Sequence, residues 1–182
     1  MASYSPDGSR LLISGGVSDA PPHCRASSLR VFDVVRGREV ARIEHSSEPD
    51  SAVNWAGWSP SGELIATAGE DGRVLLWSAE DESLGQPVGE PLVHAGAVYC
   101  AAFSPDGLVL ATGTDVGPTS SVTLWDVGAG SARPLEGHTG RISSLAWSPE
   151  GGRLASASRD LSERLWSRER AEQIKVCQVQ TI

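Results

Sequence analysis

One segment recurs four times along the chain, and this repetition limits the possible folds more than any local property does. The copies are YSPDGSRLLISGG from Tyr4, WSPSGELIATAGED from Trp58, FSPDGLVLATGTD from Phe103 and WSPEGGRLASASRD from Trp147. Each opens on aromatic-Ser-Pro-x-Gly, continues into an apolar run, and is followed by a second apolar stretch ending on Phe32, Trp77, Trp125 or Trp166. Proline presets φ at one turn position and glycine supplies a positive φ at another, so each Ser-Pro-x-Gly predicts a tight turn between two strands. AVNWAGW, AVYCAAF and RISSLAW supply a strand upstream of three of the turns, and EVARIEH (39–45) and IKVCQV (174–179) supply one further downstream. Four strands per unit, at a spacing of about 45 residues, predict the blades of a β-propeller.

This set of marks resembles the WD-repeat (WD40) family over nearly the whole chain. The family's Trp-Asp position is matched by Phe32-Asp33, Trp77-Ser78, Trp125-Asp126 and Trp166-Ser167. Its Gly-His position is kept in Gly137-His138 and degraded in Glu44-His45 and Val93-His94, and its turn aspartate is matched by Asp71, Asp115 and Asp160. The resemblance implies an all-β fold, a WD-repeat β-propeller of four four-stranded blades, either an open arc or part of a larger propeller. A single domain over 1–182 is expected, with blades at about 1–45, 46–94, 95–138 and 139–182. Because the chain opens on MASYSPDG, most of the first innermost strand is expected to be missing.

The resemblance further implies a hydrogen-bonded chain through each blade, linking loop His, strand hydroxyl, turn Asp and Trp indole. The sets are His45, Thr67, Asp71 and Trp77; His94, Thr112, Asp115 and Trp125; and His138, Ser156, Asp160 and Trp166. A hydroxyl, a His and an Asp also suit nucleophilic hydrolysis, but such a site is needed once and this trio recurs in three units, so its role is read as structural. No GxSxG, HExxH, Walker loop, GxGxxG or CxxC occurs, and no enzyme activity is expected. His23-Cys24 offers two adjacent ligand types where a structural zinc needs four, so no metal and no cofactor is expected.

Composition excludes other classes. Fifteen basic and 23 acidic side chains leave a net charge of −8, which repels phosphate backbones, so nucleic acid is not an expected partner. No apolar run reaches the 18 or so residues of a membrane-spanning helix, and MASYSPDGSRLLIS lacks the layout of a signal peptide. Cys24, Cys100 and Cys177 are odd in number and without paired spacing, which suits reduced thiols. A cytoplasmic location follows as an expectation.

Function in a repeat scaffold is sought where the copies differ. Against the shortest unit, nine residues are inserted around 16–28, four around 46–51, four around 79–90 and three around 115–121. Strand alternation puts all but the 79–90 insertion at the end that carries the His loops and Asp turns, and loops on a rigid scaffold commonly carry binding. The candidate contact residues there are Asp19, His23, Arg25, Glu48 and Asp50, together with Trp55 and Tyr99, the two aromatics outside the repeat positions. The alternative for both rings is burial beneath neighbouring loops. The expected function is a non-catalytic protein–protein interaction scaffold binding its partner on the His/Asp-loop face. The alternative is a regulatory or sensor segment of a larger WD-repeat signalling protein, such as a bacterial kinase or nucleoside-triphosphatase. Bare blade edges at the two ends also predict self-association or further blades of a parent propeller.

Overall fold

The computed structural model describes residues 1–14, 28–46 and 51–178. These form four antiparallel sheets of four strands each. The first holds β1 (Ala2–Tyr4), β2 (Arg10–Ser14), β3 (Ser28–Asp33) and β4 (Arg38–Glu44). The second holds β5 (Val53–Trp58), β6 (Leu64–Gly69), β7 (Arg73–Ser78) and β8 (Pro87–Val93). The third holds β9 (Val98–Phe103), β10 (Val109–Thr114), β11 (Val122–Asp126) and β12 (Ala132–Leu135). The fourth holds β13 (Ile142–Trp147), β14 (Arg153–Ser158), β15 (Ser162–Ser167) and β16 (Glu172–Gln178). Strands pair in chain order within every sheet.

Each Ser-Pro-x-Gly turn carries the same side-chain lock. The serine hydroxyl accepts the backbone N–H five residues on, at 2.9 Å for Ser5, 3.0 Å for Ser59 and Ser104, and 3.1 Å for Ser148. The turn glycines Gly8, Gly62, Gly107 and Gly151 have φ between 72° and 79°, a region that strains side chains with a Cβ. Their N–H groups return to the serine carbonyls at 2.8–2.9 Å. Proline between them has no N–H to leave unpaired.

Three of the four innermost strands carry one irregularity in common. Pairing passes over Asn54 in β5, Tyr99 in β9 and Ser143 in β13. A bulge of this kind turns one side chain off the ladder and reverses the alternation beyond it.

The chain divides into two compact units, 1–93 and 94–182. In the first, Leu12, Leu29 and Val31 of the first sheet pack with Ala56, Ile65 and Trp77 of the second. In the second, Ala111, Val122 and Leu124 of the third sheet pack with Ile142, Leu154 and Trp166 of the fourth. The seams are built alike. Trp58 donates its indole N–H to Ser3 O at 3.1 Å, and Trp147 donates to Ala102 O at 2.9 Å. A Cβ added at Gly62 would lie 3.6 Å from the Pro6 ring, and one at Gly151 would lie 3.3 Å from Pro105. An ion pair also crosses each seam, Arg10 to Asp81 in the first unit and Arg168 to Asp106 at 2.7 Å in the second.

Candidate functional site

The end of the sheets that carries the His loops holds three clusters, and the fourth sheet has the fullest. β15 places Trp166 against the preceding strand so that its indole N–H donates to Ser156 Oγ at 2.8 Å. Ser156 Oγ lies 2.8 Å from His138 Nε2, and His138 Nδ1 lies 2.8 Å from Asp160 Oδ2. The carboxylate can only accept, so Nδ1 carries the proton and Ser156 donates to the bare Nε2. Asp160 also accepts from Thr139 N at 3.0 Å, Ser162 N at 2.8 Å and Ser162 Oγ at 2.6 Å. Ser162 was not marked by the repeat pattern, although its hydroxyl approaches His138 Nδ1 as well, at 3.2 Å.

Electrostatics keep this cluster in one charge state. Burial acts against the Asp160 carboxylate, but the donors from Ser162, Thr139 and His138 outweigh it and hold its pKa well below the usual range. Burial also dominates at His138, where it disfavours the imidazolium; Asp160 opposes this and Arg164 adds to it, leaving the pKa below the ordinary 6.5.

The second sheet repeats the arrangement with the ring turned over. His45 Nδ1 meets Thr67 Oγ1 at 2.6 Å, His45 Nε2 meets Asp71 Oδ1 at 3.2 Å, and Trp77 donates to Thr67 Oγ1 at 2.9 Å. In the third sheet His94 Nε2 lies 2.8 Å from Thr112 Oγ1, and the Trp125 N–H is shared between them at 3.1 Å each. Asp115 does not join this cluster. Its backbone N–H bonds to Ala97 O, as those of Glu70 and Arg159 bond to Ala52 O and Arg141 O. Asp115 therefore stands one residue before the position of Asp71 and Asp160, which Val116 occupies, and its carboxylate accepts from Gly117 N at 3.4 Å.

Asp19, His23, Arg25, Glu48 and Asp50 lie outside the described residues. Trp55 lies beyond the bulge, on the face of its sheet, with its ring so close over Gly57 that a Cβ there would be 2.7 Å away. Tyr99 is the bulge residue itself, and the Arg141 guanidinium stacks over its ring at 4.2 Å. The inserted loop after β10 forms a short 3-10 turn, Gly117–Thr119, and stands beside the His138 loop. Between them is a cavity of about 380 Å³ bordered by Pro118, Ser120, Pro134, Glu136 and Thr139. Among the described residues, no group of three or more His, Cys, Asp or Glu is placed to hold a metal ion.

Repeated four-stranded sheets, three of them with a Trp on the third strand that reaches a loop His through a buried hydroxyl, define a WD-repeat protein. The WD domain, G-beta repeat family matches residues 38–78, 85–126 and 131–167, and the chain belongs to that family. Each match starts near the outermost strand of one sheet and ends at the third strand of the next. The chain is similar to the transcriptional corepressor LEUNIG_HOMOLOG of Arabidopsis thaliana, at 32% identity over 142 residues, covering 77% of this chain and 17% of that protein. It is 32% identical over 125 residues to the chromatin assembly factor 1 subunit FAS2 homolog of Oryza sativa subsp. japonica, covering 66% and 24%. It is 31% identical over 159 residues to the WD repeat-containing protein SL1-17 of Schistosoma mansoni, covering 86% and 51%. The chain thus spans between about a sixth and a half of the length of these relatives.

Proposed function

We propose that this chain is a non-catalytic protein-interaction scaffold and that its partner docks on the loops of the His/Asp end. The observation that carries this reading is the state of Ser156. Its contacts to His138 and onward to Asp160 match the order of a hydrolytic triad, yet the residue is 3% exposed and its oxygen already takes the Trp166 N–H. A nucleophile needs an open approach and an oxyanion site beside it. The same occupation of the hydroxyl by an indole N–H recurs at Thr67 and Thr112, which fits a bracing role.

The His/Asp end is favoured for docking because the copies diverge there. The loop 115–121 replaces the short turn that the second sheet makes at 70–72, and it borders a cavity with Pro118 and Pro134 in its wall. One relative is by name a subunit of an assembly, which supports the same class of role. A second reading, a WD-repeat segment serving a larger signalling protein, is favoured by the small share of those relatives that the chain spans.

The test uses a partner established by reciprocal co-purification. Removing three residues from 115–121, which brings the third sheet's connection to the length of the second's, should weaken binding at least tenfold with the fold retained. Binding lost instead on changing Glu80, Asp81 and Glu82 to Ala would place the site at the opposite end.

A further inference from the structure

Each seam inside the two units joins a forward face to a rear face. The forward face of the first sheet presents Leu12, Leu29 and Val31, and that of the third presents Cys100, Ala111, Val122 and Leu124; all are buried by the following sheet. In the fourth sheet the matching positions are Ser144, Ala155, Glu163 and Leu165. Ser144, Ala155 and Glu163 are exposed, although Ala111 and Val122 in the third sheet are fully covered. The first sheet shows the complementary condition. Its rear face carries Leu11, Ile13 and Phe32 at the positions of Ile65, Thr67 and Trp77, and these remain half-exposed, with Arg30 stacked on Phe32.

We propose that the forward face of the fourth sheet receives the rear face of the first sheet of a second copy, head to tail, in the geometry of the two existing seams. The aromatic donor, the turn glycine and the turn proline of those seams each have a counterpart at the two ends. Tyr4, 62% exposed, stands where Trp58 and Trp147 stand, and its phenol can donate to Ala146 O as the indoles donate to Ser3 O and Ala102 O. Gly8 has nothing within 4 Å of its Cβ position, whereas Gly62 and Gly151 rest on Pro6 and Pro105; Pro149 is the exposed counterpart on the fourth sheet.

Charge is complementary on the sheets but not in the loops. The loop after β3 carries Arg36, four residues past Phe32, as Asp81 is four past Trp77. Asp81 pairs across its seam with Arg10, and Arg168 pairs with Asp106. Arg36 is held by Asp33 at 2.7 Å, and its counterpart across the contact would be Arg153, which stands where Arg10 stands, so the loop ion pair of the internal seams is not reproduced here. On the sheets themselves, Glu163 stands on one face and Arg30, which lies 3.9 Å from Glu39, on the other. Glu163 and Ser144 replace apolar residues of the internal seams, which makes this contact more polar and reversible. A head-to-tail contact is heterologous, and its two halves can be blocked separately.

The experiment measures molar mass by light scattering at tens of micromolar for the wild type, Ala155→Arg and Tyr4→Glu, each alone and as an equimolar mixture of the two variants. The wild type should exceed the 19.1 kDa of one chain, with a mass that rises with concentration. Each variant alone should be monomeric, and the mixture should give a species of twice the chain mass, since one intact half of the contact remains on each partner. A monomeric wild type, or variants that stay monomeric when mixed, would overturn the proposal. Ala146→Arg and Arg30→Glu provide a second pair if either first variant loses its thermal transition, and the same outcomes decide.

Discussion

Trp147 donates its indole N–H to the carbonyl of Ala102 at 2.9 Å, tying the innermost strand of the third sheet to that of the fourth. Trp58 makes the same bond to Ser3 in the other unit. The innermost strand is a sheet edge, so its outward carbonyls need a partner from elsewhere. Phe103 occupies the equivalent position in the third sheet and has no N–H to offer. Replacing Trp147 with Phe should therefore cost about 1 to 2 kcal/mol through the unmade hydrogen bond, measured as a lower urea midpoint at unchanged slope. An unchanged midpoint would mean that the bond contributes nothing beyond ring packing.

Two groups of one cluster make stability fall as the pH falls. The pKa of His138 is depressed in the folded chain, so below about 6.5 the unfolded chain binds the proton more readily and folding is opposed. The pKa of Asp160 is depressed further, so its contribution is full above about 3.9 and is lost as the pH drops towards the folded value. Asp106, lowered to about 2 by donors from Ser104 and Arg168, acts in the same direction near the surface. The free energy of unfolding should be level above about pH 7, decline gently through 6 and fall more steeply below 4. Asp160→Asn should flatten the steep limb. A rise in stability from pH 7 to 5 would contradict this account.

Burial pushes the Cys100 thiol up to about 12, and its Sγ lies 3.6 Å from Ile142 O between the third and fourth sheets. With Cys24 and Cys177 changed to Ser, the remaining thiol should resist a disulfide-exchange reagent at pH 8 until the protein unfolds, because the thiolate is the reactive form. Fast labelling of the native protein would show that the second unit opens on its own.

The strands and their turns were legible because Ser-Pro-x-Gly enforces one backbone path wherever it occurs. The family marks led to the clusters for a similar reason, since a buried indole N–H must find an acceptor. Two placements were harder to read. Asp115 lies three residues after Thr112, whereas Asp71 and Asp160 lie four after Thr67 and Ser156; that missing residue was visible in the sequence and carries the aspartate out of the cluster. Trp55 and Tyr99 were grouped as the two aromatics outside the repeat positions, but Tyr99 is the bulge residue of β9 whereas Trp55 stands one residue past the bulge at Asn54. A bulge depends on how two strands meet and leaves little trace in either one alone. Ser162 escaped notice because its role exists only once Asp160 has been brought beside it.

The most direct test of the bracing role is the urea midpoint of Asp160→Ala set beside that of Asp115→Ala. Asp160 accepts from His138, Thr139 and Ser162, while Asp115 accepts one long bond from Gly117. Removing Asp160 strands buried donors and should cost about 2 kcal/mol, against less than about 0.5 kcal/mol for Asp115. Equal midpoints for Asp160→Ala and the wild type would contradict the structural role of the cluster and return Ser156, His138 and Asp160 to consideration as a working site.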